Sequence, residues 1–221
     1  MLRLAVAALA VAALTGCSAT GQPAATGLQL TATLTSPVDI TLDWSGTPDA
    51  ATSTIVEFAT EQDGQYTILN FLGPDQHTFQ HPDLMPKTPF YYRVTPVLGP
   101  ASEAVAVQLP STTIFRAESK QAQPGSVRAE AGTPTDVAVK SAGGDLVRVT
   151  WKDNATDEEG FLLEIKPDGQ PAYRVAGFID PGTTFTELST LPSERKASYR
   201  IRAFYRGPAS NLAHQTTGGT L

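Results

Sequence analysis

The chain repeats itself. Laid over itself at an offset of 107 residues, Trp44 falls on Trp151, Glu57 on Glu164, Tyr66 on Tyr173, and Tyr92-Arg93-Val94 on Tyr199-Arg200-Ile201. One residue later in phase, Gly99-Pro100-Ala101-Ser102 recurs as Gly207-Pro208-Ala209-Ser210. One such match could be chance, but a series in register is a duplication, and each copy must then close its own apolar core around a tryptophan.

Within each copy the hydrophobic period is two. Val147, Val149 and Trp151 alternate with Arg148 and Thr150, then a polar turn runs to Gly160, and Phe161, Leu163 and Ile165 begin a second alternating strand. In the first copy the same pattern predicts strands at Leu28–Leu34, Ile40–Trp44, Thr54–Phe58, Tyr66–Phe71, Thr78–Gln80, Phe90–Val97 and Ala104–Leu109. Gly, Pro and Asp stand at the joints and no helical period competes. Seven short strands per copy predict an all-β sandwich, with the last strand of each copy closing that copy.

Each copy resembles a fibronectin type III domain. The resemblance rests on Trp44 and Trp151 in the second strand, Val56-Glu57 and Leu163-Glu164 in the third, and Leu84-Met85-Pro86-Lys87-Thr88 leading into Tyr91-Tyr92-Arg93-Val94. Tyr199-Arg200-Ile201-Arg202-Ala203 matches the last of these, and Asp153-Asn154-Ala155-Thr156-Asp157-Glu158-Glu159-Gly160-Phe161 is similar to that loop in bacterial members. The resemblance implies two tandem immunoglobulin-like sandwiches, at 28–110 and 134–217, joined by a linker at 111–133 with limited contact between them. It also implies a corner tyrosine bonded to nearby backbone. The matching positions hold Phe90, which keeps the packing without the bond, and Ala197, which keeps neither, so the corner bond is expected to be missing and the turn Leu191–Ala197 departs furthest from the family's pattern.

The N-terminal residues carry a different message. Arg3 precedes an apolar run of eleven residues, Leu4–Leu14. As a helix this run spans roughly 16 Å, too short for a bilayer core of about 30 Å. It has the form of an export signal, ending Leu14-Thr15-Gly16-Cys17-Ser18. That ending resembles the lipobox of bacterial lipoproteins. The resemblance implies a signal peptide at 1–16, a diacylglycerol on the Cys17 sulfur and a membrane anchor made through that lipid. With Ser18 next, it implies the outer membrane where the cell has one. An ordinary signal peptide with a cysteine near its end is the alternative. Residues 17–27 then form a lipidated polar tether of Ser, Ala, Thr, Gly, Gln and Pro.

Cys17 is the only cysteine, which excludes an intramolecular disulfide and a multi-thiolate metal site. Net charge is −6, and −7 without residues 1–16, since Arg3 is lost and 15 basic residues face 22 acidic ones. An acidic chain is not expected to bind nucleic acid. No Gly-x-Ser-x-Gly, His-Glu-x-x-His or phosphate-cradling glycine loop occurs, so neither catalytic residues nor a cofactor are expected. His77 and His81 share a strand face but read as surface residues rather than metal ligands. The acidic turn Asp153, Asn154, Asp157, Glu158, Glu159 offers oxygens to Ca²⁺, yet lacks a known loop spacing and reads as a solvated turn bonding its own backbone. Trp44 and Trp151 share the phase of core residues, which sets aside a sugar-stacking role.

Glu57 with Arg93, and Glu164 with Arg200, lie between inward-facing neighbours and so face outward; the resemblance implies that their strands are adjacent, and each pair is then expected to form an exposed cross-strand ion pair. Antiparallel pairing of Glu164 with Arg200 sets Leu162 opposite Arg202. The outer face of the second copy should therefore present Leu162, Arg200, Arg202 and Phe204, the composition of an interface, as a candidate partner face. The expected function is a non-enzymatic, membrane-anchored surface or periplasmic lipoprotein that binds protein or glycan or acts as a spacer. The alternatives are a structural subunit of a cell-envelope complex and an accessory to a secreted hydrolase.

Overall fold

A computed structural model describes residues 27–109 and 132–219. The expected export signal, Cys17 and most of the expected tether and linker fall outside the described residues. The first copy forms β1 (Gln29–Ser36), β2 (Asp39–Ser45), β3 (Ser53–Ala59), β4 (Thr67–Leu72), β5 (Thr78–His81), β6 (Pro89–Leu98) and β7 (Val105–Gln108). The second forms β8 (Thr135–Gly143), β9 (Leu146–Lys152), β10 (Gly160–Pro167), β11 (Arg174–Ile179), β12 (Phe185–Ser189), β13 (Lys196–Arg206) and β14 (Ala213–Thr216). Every strand expected in the first copy is present, within two residues at its ends.

Two sandwiches result. In the first, the sheet β1-β2-β5 faces the sheet β4-β3-β6; in the second, β8-β9-β12 faces β11-β10-β13. Trp44 packs with Leu30, Leu42, Val56 and Tyr92, and Trp151 with Val149, Phe161, Leu163 and Tyr199. Both tryptophans are 5% exposed, so they are core residues as their phase requires.

The seventh strands depart from expectation. β7 does not close the first sandwich but pairs with β13 of the second, Val105 opposite Tyr199 and Gln108 opposite Lys196. β14 does the reverse and pairs with β6 of the first, Ala213 opposite Tyr92 and Thr216 opposite Pro89. Val105 and Val107 are buried in the second core and Ala213 in the first. The two copies have exchanged their last strands. The ranges 28–110 and 134–217 therefore hold six of the seven strands of each sandwich.

The recurring Gly-Pro-Ala-Ser marks the two crossing points. Ser102 donates its backbone N–H to the Ile201 carbonyl at 2.8 Å while its hydroxyl accepts from the Ile201 N–H at 3.0 Å. Ser210 makes the same reciprocal pair with Val94, at 2.9 and 3.1 Å. Between the crossings β6 and β13 run antiparallel and pair directly, Leu98 with Tyr205 and Val97 with Arg206. The strands approach closely there because the crossing residues are glycines. A Cβ on Gly99 (φ +119°) would stand 2.1 Å from the Ala203 carbonyl oxygen, and one on Gly207 would stand 2.7 Å from Pro96 Cγ. Gly99→Ala is expected to destabilise the chain by about 2–3 kcal/mol through backbone strain and the forced shift of β13. Gly169→Ala, also at positive φ but with nothing within 4 Å, should cost less. Urea titration of the two variants makes the comparison.

Limited contact between the copies was the expectation, and it is corrected. The exchange and the β6–β13 pairing fuse the inner sheets into one, and that sheet folds so that β4 and β11 touch. A third core lies between the copies, built from Ile55, Val97, Leu162 and Phe204, with Ile68, Phe71 and Val175 against it. This is why β3 and β10 are buried on both faces.

The corner is also corrected. Tyr199, two residues beyond Ala197, donates its hydroxyl to the Glu194 carbonyl at 2.9 Å, and burial pushes its phenol up to about 12. The turn is a single 3-10 turn, Pro192–Glu194, in which the Glu194 carboxylate accepts from the Leu191 N–H and pairs with Arg174. In the first copy the equivalent Tyr92 hydroxyl bonds instead to His81 Nδ1, at 3.1 Å.

Candidate functional site

The residues matched between the copies form the same three-part contact in each. Glu57 Oε2 accepts from Arg93 Nε at 2.8 Å, and the Arg93 guanidinium lies 4.2 Å from the centre of the Tyr66 ring. Glu164 Oε2 accepts from Arg200 Nε at 2.5 Å, and the Arg200 guanidinium lies 3.8 Å from the Tyr173 ring. The expected registers, Glu57 opposite Arg93, Glu164 opposite Arg200 and Leu162 opposite Arg202, are all present. The carboxylates, however, are buried, with Glu57 2% and Glu164 3% exposed.

The third core explains that burial. The face carrying Leu162, Arg200, Arg202 and Phe204 is not open. Leu162 is 0% and Phe204 1% exposed, both in the core between the copies, while Arg200 is half-buried. Arg202, also buried, gives Nε and Nη2 to Glu164, at 2.9 and 3.2 Å, and Nη1 to the Gly99 carbonyl at 2.6 Å. It ties the carboxylate of the second copy to the crossing point of the first. On the other side Arg206 reaches Glu57 at 3.6 Å. The apolar-plus-arginine composition did mark an interface, but its occupant is the first copy of the same chain. Sequence reasoning could not see this, because which copy receives β7 is a choice between equivalent edges.

The acidic turn is also engaged. Asp153 accepts from the Ala155 N–H at 2.9 Å, Asp157 from the Tyr205 hydroxyl at 3.2 Å, and Glu159 from the Arg206 N–H at 2.8 Å. Asn154 donates to the Thr133 carbonyl and Thr135 hydroxyl, at 2.8 and 3.0 Å. Among the described residues no group of three His, Cys, Asp or Glu side chains is placed to hold a metal ion.

His77 is exposed, but His81 is not the surface residue expected. Its ring packs edge-on to Phe58, Phe90 and Tyr92, at 5.1, 6.1 and 5.9 Å, with Phe79 beyond. Burial holds its pKa below the ordinary value, favouring the neutral ring. A base whose folded pKa is depressed contributes stability above its unfolded pKa of about 6.5, and that contribution is lost as pH falls through the folded value. The melting temperature is therefore expected to fall below about pH 6.5, and His81→Phe should flatten that fall.

A concave surface lies open on the second sandwich. A groove of about 660 Å³ crosses the outer face of the second sandwich, away from the third core. Its lining includes Gln108, Lys166, Asp168, Gln170, Lys196 and Ser198. Lys196 and Asp168 pair across it at 2.5 Å, and the hydrogen bond from Lys196 holds the Asp168 carboxyl below the usual range. Lysine ammonium groups, glutamine amides and a carboxylate line it, a lining suited to a polar ligand.

No family model and no curated protein matches the chain. Among solved structures it is similar to a two-domain fibronectin type III segment of chicken tenascin, 14% identical over 85% of this chain and 96% of that one, with a TM-score of 0.28. It is also similar to the FN1–FN3 domains of chicken CNTN1, 18% identical over 81% of this chain, with a TM-score of 0.29. The chain spans 60% of that structure's length. The fold class is the expected one in being all-β, with two tandem seven-stranded sandwiches, and differs in that the seventh strands are exchanged.

Proposed function

We propose that the chain is an exported, lipid-anchored, non-enzymatic module that presents the two sandwiches as one body and binds a polar protein or glycan partner in the groove of the second. The open groove supports this reading best. The apolar face that could have served a partner is used within the chain, while the groove keeps Lys166, Lys196 and Asp168 accessible. The tether supports it as well. Gly27 lies against Gly46, and Leu30 bonds Asn211 at the junction of the copies, so an anchor at Cys17 would hold the body near its middle. The distal groove would then stand clear of the membrane.

Crosslinking on intact cells, recovery through the C terminus and mass spectrometry test the binding step. Lys166→Glu with Lys196→Glu is expected to remove the groove's partner while the domain still melts cooperatively. An unchanged set of crosslinked proteins, at unchanged yield, sinks the groove assignment. Palmitate labelling should be lost in Cys17→Ser, and label that persists would end the anchor assignment. A partner that co-purifies stoichiometrically from the envelope would favour the role of structural subunit, and a secreted hydrolase that of accessory protein.

A further inference from the structure

Residues Ser210–Gly218 lie on the first sandwich as a bound peptide would. Ser210 is held by both polar groups of Val94. The Asn211 side chain copies a backbone unit, accepting from the Leu30 N–H at 2.8 Å and donating to the Leu30 carbonyl at 2.9 Å. Gln215 donates to the Ala32 carbonyl at 2.9 Å, and the His214 ring stacks on Tyr91 at 4.5 Å. Thr217 accepts from the Thr88 N–H at 2.9 Å and gives its hydroxyl to the Met85 carbonyl at 2.6 Å. The Gly218 N–H closes the set on the Pro37 carbonyl at 2.7 Å. Nine residues thus satisfy the free edges of β6 and β1 together, by β-strand addition.

We propose that this segment is a transferable strand, and that the β6 edge also accepts it from a second copy of the chain, giving a reciprocally exchanged dimer. β6 already recognises a strand that is not its own sequence neighbour. The recognition is contained in the segment, with only Gly207, Pro208 and Ala209 between it and the end of β13. Turning that hinge outward gives up the Gly207 N–H bond to the Pro96 carbonyl, changes which β6 is reached, and leaves the bonds of Ser210–Gly218 to β6 and β1 the same. The choice between the two arrangements then rests on concentration. Within one chain a short flexible connection corresponds to an effective concentration on the order of millimolar. Exchange between chains therefore needs comparable crowding, which tethering to a membrane surface would supply under the anchored reading above.

His214 and Tyr91 are direct cross-strand partners, so their Cα separation suits a disulfide. Without exchange, His214 would instead lie opposite Ser198, the residue that β7 now meets through Ala106. Tyr91→Cys and His214→Cys are placed in separate full-length chains, each with Cys17→Ser. The two are mixed at about millimolar concentration, unfolded, refolded together and oxidised. The expected product is a mixed disulfide of twice 23.4 kDa, its yield about tenfold above that of a Leu191→Cys and His214→Cys mixture, in which the exposed position 191 lies off the receiving edge and only random collision acts. Equal yields from the two mixtures overturn the proposal. For the unsubstituted chain refolded at the same concentration, light scattering is expected to find a dimer that persists for hours after dilution, because release requires β14 to leave β6. A monomer at every concentration overturns the proposal, whether or not the cysteine variants refold.

Discussion

Leu162→Asp is expected to unfold the chain, not to detach a partner. Leu162 is completely buried between the copies, against Ile55, Val97 and Phe204. Leu162→Ala alone should cost about 2–5 kcal/mol, by lost burial and the cavity left behind. The aspartate adds a buried carboxylate without a cation of its own, and the sum approaches the whole stability of an ordinary domain, about 5–15 kcal/mol. Leu212→Asp, on a residue that is 44% exposed, is the control and should change stability by less than about 0.5 kcal/mol. Urea titrations followed by tryptophan fluorescence measure both. A Leu162→Asp chain that melts like the parent would mean that the third core does not exist.

Glu164→Ala is expected to destabilise by about 3–5 kcal/mol, and Glu57→Ala by distinctly less, although the two are equivalent positions of the repeat. The difference lies in what each leaves behind. Without Glu164, Arg202, whose side chain is 6% exposed, keeps only the Gly99 carbonyl as a partner. Without Glu57, Arg93 is left at 34% exposure, where water can take over, and Arg206, at 35%, keeps Glu159 at 3.6 Å. The same titration decides it. Equal losses at the two sites would show that Arg202 is solvated, contrary to its place in the seam. The exposed pair Arg148–Glu187, on the outer sheet, sets the scale of an ordinary surface bridge, at most about 1 kcal/mol.

What the sequence determined by itself is everything governed by alternation and spacing. Strand phase put Trp44, Trp151, Leu163 and Ile201 inside, because a strand with one face in a core must repeat every two residues. The same phase turned Glu164 and Arg200 outward; with their strands adjacent as the resemblance implied, setting Glu164 opposite Arg200 put Leu162 opposite Arg202, because register in an antiparallel pair is a sum of residue numbers. It also marked the Leu162–Phe204 face as interface-like, through its chemistry. Tertiary structure alone decided what covers that face and which edge each last strand joins. β6 and β13 are near-copies, so β7 and β14 meet equivalent receptors in either sandwich, and local propensity cannot rank two equivalent pairings. Long-range geometry breaks the tie: Gly99 and Gly207 let β6 and β13 touch, Arg202 reaches across to the Gly99 carbonyl, and the third core closes behind them. The corner bond of Tyr199 escaped for a related reason. A hydroxyl on a core-phase tyrosine reads as packing until the fold brings the Glu194 carbonyl within its reach.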